Sequence, residues 1–130
     1  MSSDTAARIN EFVLAREADI VSFLRDIVAI PSLSGQEEGV VRRVASEMEK
    51  VGFDEVMIDP MGNGLGRIGS GSRVLAFDAH VDTVDVTDRD QWDCDPFTGK
   101  LEDGMIFGRG SVDQKAGMAG MVYAAAAMKE

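Results

Sequence analysis

The sequence predicts an α/β domain in which helices cover a short-stranded, largely buried sheet. Three observations carry that expectation. Apolar residues recur with helical spacing in three segments, and short Val-, Ile- and Phe-containing runs lie between glycine-rich turns. Two of those runs are separated by roughly 25 residues, more than the dozen that a parallel crossover needs.

The elements follow in order. Residues from about Asp4 to Ile30 read as one long helix or two abutting ones, with Ile20, Phe23, Leu24, Ile27 and Val28 forming an apolar stripe. Pro31 stops it. Ser34 with Glu37 three residues on has the spacing of a capping box. The helix that follows is expected to bury Val40, Val41, Val44, Ala45, Met48 and Val51, with Glu37 and Glu38 at its start and Lys50 at its end matching the macrodipole. Gly52 suits the left-handed position past its last turn. Phe53 to Ile58 and Leu65 to Ile68 read as strands around the turn Asp59–Gly64. Val74 to Ala79 reads as a buried strand that delivers His80, after a turn at Gly69–Ser72. Asp82 to Asp103 reads as a long acidic connection without period, and such loops are functional or disordered. Met105–Phe107 is a strand after a Gly104 turn, and Ala116 to Met128 is a helix apolar nearly all round, packed between other elements.

A chain of 130 residues is one domain by size, and 45% hydrophobic with 28% charged residues is ordinary for a globular protein. Thirteen basic against 23 acidic residues give a net charge of −10. That charge argues against nucleic acid or an anionic membrane as partners, and it favours a bound divalent cation. Cys94 is the only cysteine, which excludes an internal disulfide and a thiolate zinc cluster. A reducing, cytoplasmic location is the matching expectation. The N-terminus carries no basic-then-apolar leader, and the most apolar segment is shorter than the roughly 20 residues of a membrane span.

The chemistry centres on His80, the one histidine, with Asp82 two residues on and Asp113 after Gly108-Arg109-Gly110-Ser111-Val112. If the two strands run parallel, His80 and Asp113 share the C-terminal sheet edge where open α/β sheets place their sites. Each residue alone has a plainer role. His80 can be structural at a strand end, Asp82 a solvated loop aspartate, and Asp113 an N-cap. Together they read as metal ligands His80 and Asp113, with Asp82 accepting the second ring N–H of His80 and fixing its tautomer.

At these residues the chain resembles the zinc aminoacylase/carboxypeptidase G superfamily, which includes acetylornithine deacetylase and succinyl-diaminopimelate desuccinylase. The likeness rests on Ala79-His80-Val81-Asp82-Thr83-Val84 and on Gly108-Arg109-Gly110-Ser111-Val112-Asp113-Gln114-Lys115-Ala116-Gly117-Met118. Trp92, Asp95-Pro96-Phe97, Gly99 and Gly104 between them match too, as do Ile30-Pro31-Ser32 and Ser34-Gly35. Within the superfamily it most resembles the branch of hydrolases linked to selenium metabolism. The resemblance implies a layered helix/sheet/helix zinc-peptidase-like catalytic domain, of which residues 1–130 are the N-terminal portion without the dimerisation domain. It implies that His80 binds one zinc, that Asp113 bridges two, that the peptide after Asp113 is cis, and that Asp82 is the catalytic-set residue that orients His80. Cobalt is an alternative metal. The implied activity is hydrolysis of the amide bond of a small N-acyl amino acid or short peptide by a zinc-activated water, in a protein that can be a homodimer when complete. The family's general base, its other acidic ligands and its second histidine lie beyond Lys129-Glu130, so the chain alone is expected to be inactive. The alternative is a non-catalytic, truncated structural or interaction fragment.

Three other patterns carry nothing. Gly64-Leu65-Gly66-Arg67-Ile68-Gly69 fits G-x-G-x-x-G but lies in a hairpin with no helix opening after it. The run Asp85, Asp88, Asp90, Asp93, Asp95 lacks the central glycine and closing glutamate of a calcium loop. No G-x-S-x-G elbow accompanies the serines. A sheet cut part-way across should expose an edge and an apolar patch that invite association.

Overall fold

The computed structural model describes residues 3–129. Four helices, α1 (Ser3–Ala15), α2 (Glu17–Ala29), α3 (Glu38–Lys50) and α4 (Ala116–Ala127), accompany four short strands. The strands are β1 (Glu55–Ile58), β2 (Gly64–Arg67), β3 (Lys100–Glu102) and β4 (Met105–Phe107). The architecture is therefore mixed helix and sheet, as the sequence predicts. The N-terminal segment is two abutting helices that part at Arg16, whose guanidinium stacks 3.7 Å over the Phe12 ring. None of the helices among the described residues is long and apolar enough to cross a membrane.

The core is helical. Phe12 from α1, Phe23 and Ile27 from α2, Val40 and Val44 from α3, and Met118, Ala119, Val122, Tyr123, Ala126 and Ala127 from α4 form one buried cluster. The small residues of α4 let its neighbours approach closely, which is why a helix apolar on every side is tolerated here. Helix α3 ends as its sequence dictates. Gly52 sits at φ 89, its N–H bonds Glu49 and the Phe53 N–H bonds Met48 at 2.9 Å, closing a Schellman turn.

The apolar spacing of α3 does not anticipate Glu47, which is buried among the hydrophobic residues. Tyr123 donates to its Oε1 at 2.5 Å, Arg43 pairs with its Oε2 at 2.8 Å, and Lys50 approaches at 3.3 Å. Burial alone drives the Glu47 pKa up; the hydrogen bonds from Tyr123, Arg43 and Lys50 outweigh it and hold the group below its ordinary 4.5. This carboxylate ties α4 to α3.

The sheet departs from expectation. The β1–β2 and β3–β4 pairs are separate two-stranded antiparallel hairpins, with Glu55 opposite Arg67 and Lys100 opposite Phe107. In the second, Asp103 (φ 50) and Gly104 (φ 77) supply the two left-handed residues of a tight turn. Residues 74–79 are not a buried strand: they form no ladder, and Val74, Leu75 and Phe77 are 88%, 72% and 64% exposed. The parallel crossover is likewise not formed, since β4 pairs only with β3. A central strand exists through its neighbours, and among the described residues none lies beside this run; the nearest pairing, a parallel bridge between Leu33 and Thr83, comes after it. The acidic connection is more ordered than its composition implies, holding a 3₁₀ turn at Arg89–Gln91 and strand β3.

Beyond β4 the chain must pass close to α2. A Cβ on Gly108 would run into the Val28 side chain and lie 3.0 Å from the Pro96 carbonyl. At Gly110, φ is 80 and a Cβ would meet the Thr83 methyl at 2.6 Å. Both glycines are thus required by position, and Gly110 starts the turn that leads to Asp113.

Glu47→Ala is expected to lower stability by about 3–5 kcal/mol, because Arg43 and Tyr123 lose their buried partner, and Tyr123→Phe by about 1–3 kcal/mol, both read from urea denaturation. Because the folded pKa of Glu47 is depressed, its contribution is complete above pH 4.5 and is lost as pH falls through the folded value. A Glu47→Gln chain should therefore lose less stability on acidification than wild type. Gly110→Ala is expected to cost about 1–3 kcal/mol from left-handed strain and the Thr83 contact. Gly120→Ala, in α4 with nothing within 4 Å, should be neutral or stabilising by up to about 1 kcal/mol in the same assay.

Candidate metal centre

Three segments meet beside the C-terminal end of α2: the loop after Pro31, the His80–Thr83 stretch, and the Gly108–Lys115 turn. The first two are joined by the Thr83 N–H to the Ser32 carbonyl at 2.7 Å, and by the buried Ser32 hydroxyl, which donates to the Val81 carbonyl at 2.7 Å. The third is held by the Arg109 N–H on the Pro96 carbonyl at 2.8 Å and by the Lys115 N–H on Gly110 at 3.0 Å. Lys115 itself is fully buried and its Nζ donates to the Ile30 carbonyl at 2.9 Å. Burial pushes its ammonium down to about 8.

The convergence brings the three predicted residues together. His80 Nε2 lies 3.0 Å from Asp113 Oδ1, and His80 Nδ1 lies 3.1 Å from Asp82 Oδ1 and 3.2 Å from the Asp82 carbonyl. The peptide between Asp113 and Gln114 is cis, as the resemblance implies. The other carboxylate oxygen of Asp82 accepts the Ser34 hydroxyl at 2.6 Å. This corrects the capping box: α3 has no side-chain cap, Glu37 bonds back to the Gly35 N–H at 2.8 Å, and Ser34 turns instead to Asp82, which offers a charged acceptor.

The electrostatics follow from those contacts. Partial desolvation lowers the His80 pKa, but the Asp113 hydrogen bond, the Asp82 carbonyl and the two carboxylate charges outweigh it and raise the imidazole above its usual 6.5. Asp82 is held below the ordinary carboxylate range, first by the Ser34 hydroxyl and then, against desolvation, by the charge of His80. A cleft of about 330 Å³ opens beside His80, Asp82 and Thr83 and along Gly108–Asp113. Arg109 forms part of its wall and stacks 5.3 Å from the Trp92 ring.

The donor chemistry suits a divalent ion of zinc type: one imidazole nitrogen whose partner nitrogen is held by a carboxylate, and one exposed aspartate. The number of donors is two. Among the described residues no group of three or more His, Cys, Asp or Glu side chains is arranged so that it could hold a metal ion. Ser34 and Lys115 escape sequence reading, the first because Ser-x-x-Glu already has a capping explanation, the second because a lysine opening a helix reads as solvated.

Residues 76–130, which contain His80, Asp82 and Asp113, match the family model of peptidase family M20/M25/M40. The chain is 56% identical over 114 residues to the uncharacterized protein YgeY of Escherichia coli strain K12, covering 88% of this chain and 28% of that protein. It is 35% identical over 117 residues to a probable succinyl-diaminopimelate desuccinylase of Staphylococcus epidermidis, covering 88% of this chain and 29% of that one. The chain thus spans less than a third of the length of these relatives. The match over residues 76–130, with relatives alike over 88% of this chain, supports membership of the superfamily of peptidase family M20/M25/M40.

Proposed function

We propose that residues 1–130 are the N-terminal portion of the catalytic domain of a zinc-dependent hydrolase. The whole protein cleaves the amide bond of a small N-acyl amino acid or short peptide. The observation that carries this reading is the His80–Asp113 contact at 3.0 Å, with Asp82 on the other ring nitrogen. The relative named as a succinyl-diaminopimelate desuccinylase supports an N-acylated amino acid as substrate.

In this reading His80, through Nε2, and Asp113 would hold zinc, or cobalt in its place. Zinc there supplies a Lewis acid and a water of lowered pKa. Asp82 acts through His80: its Oδ1 keeps the proton on Nδ1, which leaves Nε2 free as a donor of electrons. The Lys115–Ile30 and Ser32–Val81 bonds fix the two loops so that both donors face one cleft. Substrate approaches through that cleft, beside Arg109.

A second reading, a non-catalytic structural or interaction fragment, is favoured by one observation, the donor count of two among the described residues. Turnover of N-acetyl amino acids by the isolated chain with added zinc rejects the second reading, and its absence is the result that both readings expect.

Calorimetric titration of zinc into the chain is expected to show weak binding that His80→Ala and Asp113→Ala abolish. Asp82→Asn should weaken it about 10–100-fold, the range found when a ligand's hydrogen-bond partner is lost. Equal affinities in wild type and His80→Ala would remove the metal site.

A further inference from the structure

The loop Ser32–Gly35 does more than connect α2 to α3. It is pinned to the stretch that carries His80 by the Leu33–Thr83 bridge, the Thr83 N–H on Ser32 and the Ser32 hydroxyl on Val81. The Gln36 N–H closes a tight turn on the Leu33 carbonyl at 2.7 Å, and Gly35 takes a left-handed conformation at φ 84. Ser34 is therefore delivered to Asp82 by backbone bonds on both sides of it, on an element unrelated in sequence to either ligand.

The direction of the Ser34–Asp82 bond is fixed by chemistry, because an ionised carboxylate only accepts. With Oδ2 occupied at 2.6 Å, Oδ1 is the oxygen left for His80 Nδ1 at 3.1 Å. The Asp82 side chain is 38% exposed, so without a second tether water competes for both oxygens and the carboxylate can turn away from the ring.

We propose that Ser34 is a positioning residue of the metal centre: its hydroxyl locks the Asp82 carboxylate in the orientation that holds the His80 ring, with Nε2 directed to the Asp113 side. The inference rests on the metal-site reading for its consequence, but the locking itself is a property of the metal-free chain. It makes the Pro31–Gly35 loop a working part of the centre and assigns a role to a residue whose hydroxyl bonds to Asp82.

The test compares wild type with Ser34→Ala, Ser34→Thr and Ser34→Val. Thr keeps the hydroxyl, and Val has the shape of Thr without it. Because His80 is the only histidine, its ring nitrogens give one assignable pair of ¹⁵N resonances at a fixed pH, read without metal. Zinc affinity is measured by calorimetry alongside, and urea midpoints report folding. The expected result is that Ala and Val shift the Nδ1 resonance toward that of a free imidazole and weaken zinc binding about threefold to tenfold, whereas Thr restores both. Val supplies the comparison if Ala folds poorly. Wild-type ring resonances in Ala and Val overturn the inference, as does a Thr variant that behaves like Val. If His80→Ala leaves zinc affinity unchanged, the metal reading fails on its own, and the ring resonances still decide the role of Ser34.

Discussion

The buried ammonium of Lys115, resting on the Ile30 carbonyl, is the contact on which the placement of the centre depends. It lies just past the end of α2, where a helix has unpaired carbonyls and a negative dipole end, so a cation there is stabilised by both. The bond spans 85 residues of sequence and fixes the start of α4 to the end of α2. Asp113 is two residues before Lys115, and Pro31 and Ser32 follow Ile30 directly. One hydrogen bond thus sets the distance between the Asp113 turn and the loop that grips the His80 stretch.

A second buried charge, Glu47, plays the corresponding part at the other side of the helical core. An unpaired carboxylate there would be strongly destabilising, so the structure is committed to bringing Tyr123, Arg43 and Lys50 to it. These two polar contacts position α4 at both ends, Lys115 at its beginning and Tyr123 toward its close. The alanines and glycines between them fill space without dictating register, which a helix of small apolar residues cannot do by itself.

What was legible in the sequence is what local chemistry decides. The termination of α3 at Gly52 and the β3–β4 turn depend on a few neighbouring residues, and they form as expected. His80, Asp82 and Asp113 stand in two short patterns, Ala79–Val84 and Gly108–Met118, that drew them out as candidates, and the structure brings the three within hydrogen-bond reach. Residues 74–79 were misread because an apolar run becomes a strand only when another strand lies beside it. Ser34 was misread because two acceptors compete for a serine at that place, and only the fold shows that the Asp82 carboxylate is near enough to win. Glu47 and Lys115 could not be seen, since charged residues are buried too seldom for pattern alone to place them inside.

The misread strand carries a physical consequence for the centre. A ligand at the end of a central strand inherits its rigidity from the hydrogen bonds of the sheet, and residues 74–79 have none of those. His80 is nevertheless held, because the residues after it are gripped: Val81 by Ser32, Thr83 by Ser32 and Leu33, and Asp82 by Ser34. The constraint comes from the C-terminal side of His80 and from the loop between α2 and α3. The cluster of His80, Asp82 and Asp113 is therefore organised by the α2–α3 connection and by Lys115 rather than by a sheet ladder. On the metal reading proposed above, any further donor would meet two groups already fixed in place. Such a donor would lose only its own conformational freedom on binding the same ion, the condition under which a shared metal site gains most affinity from each added ligand.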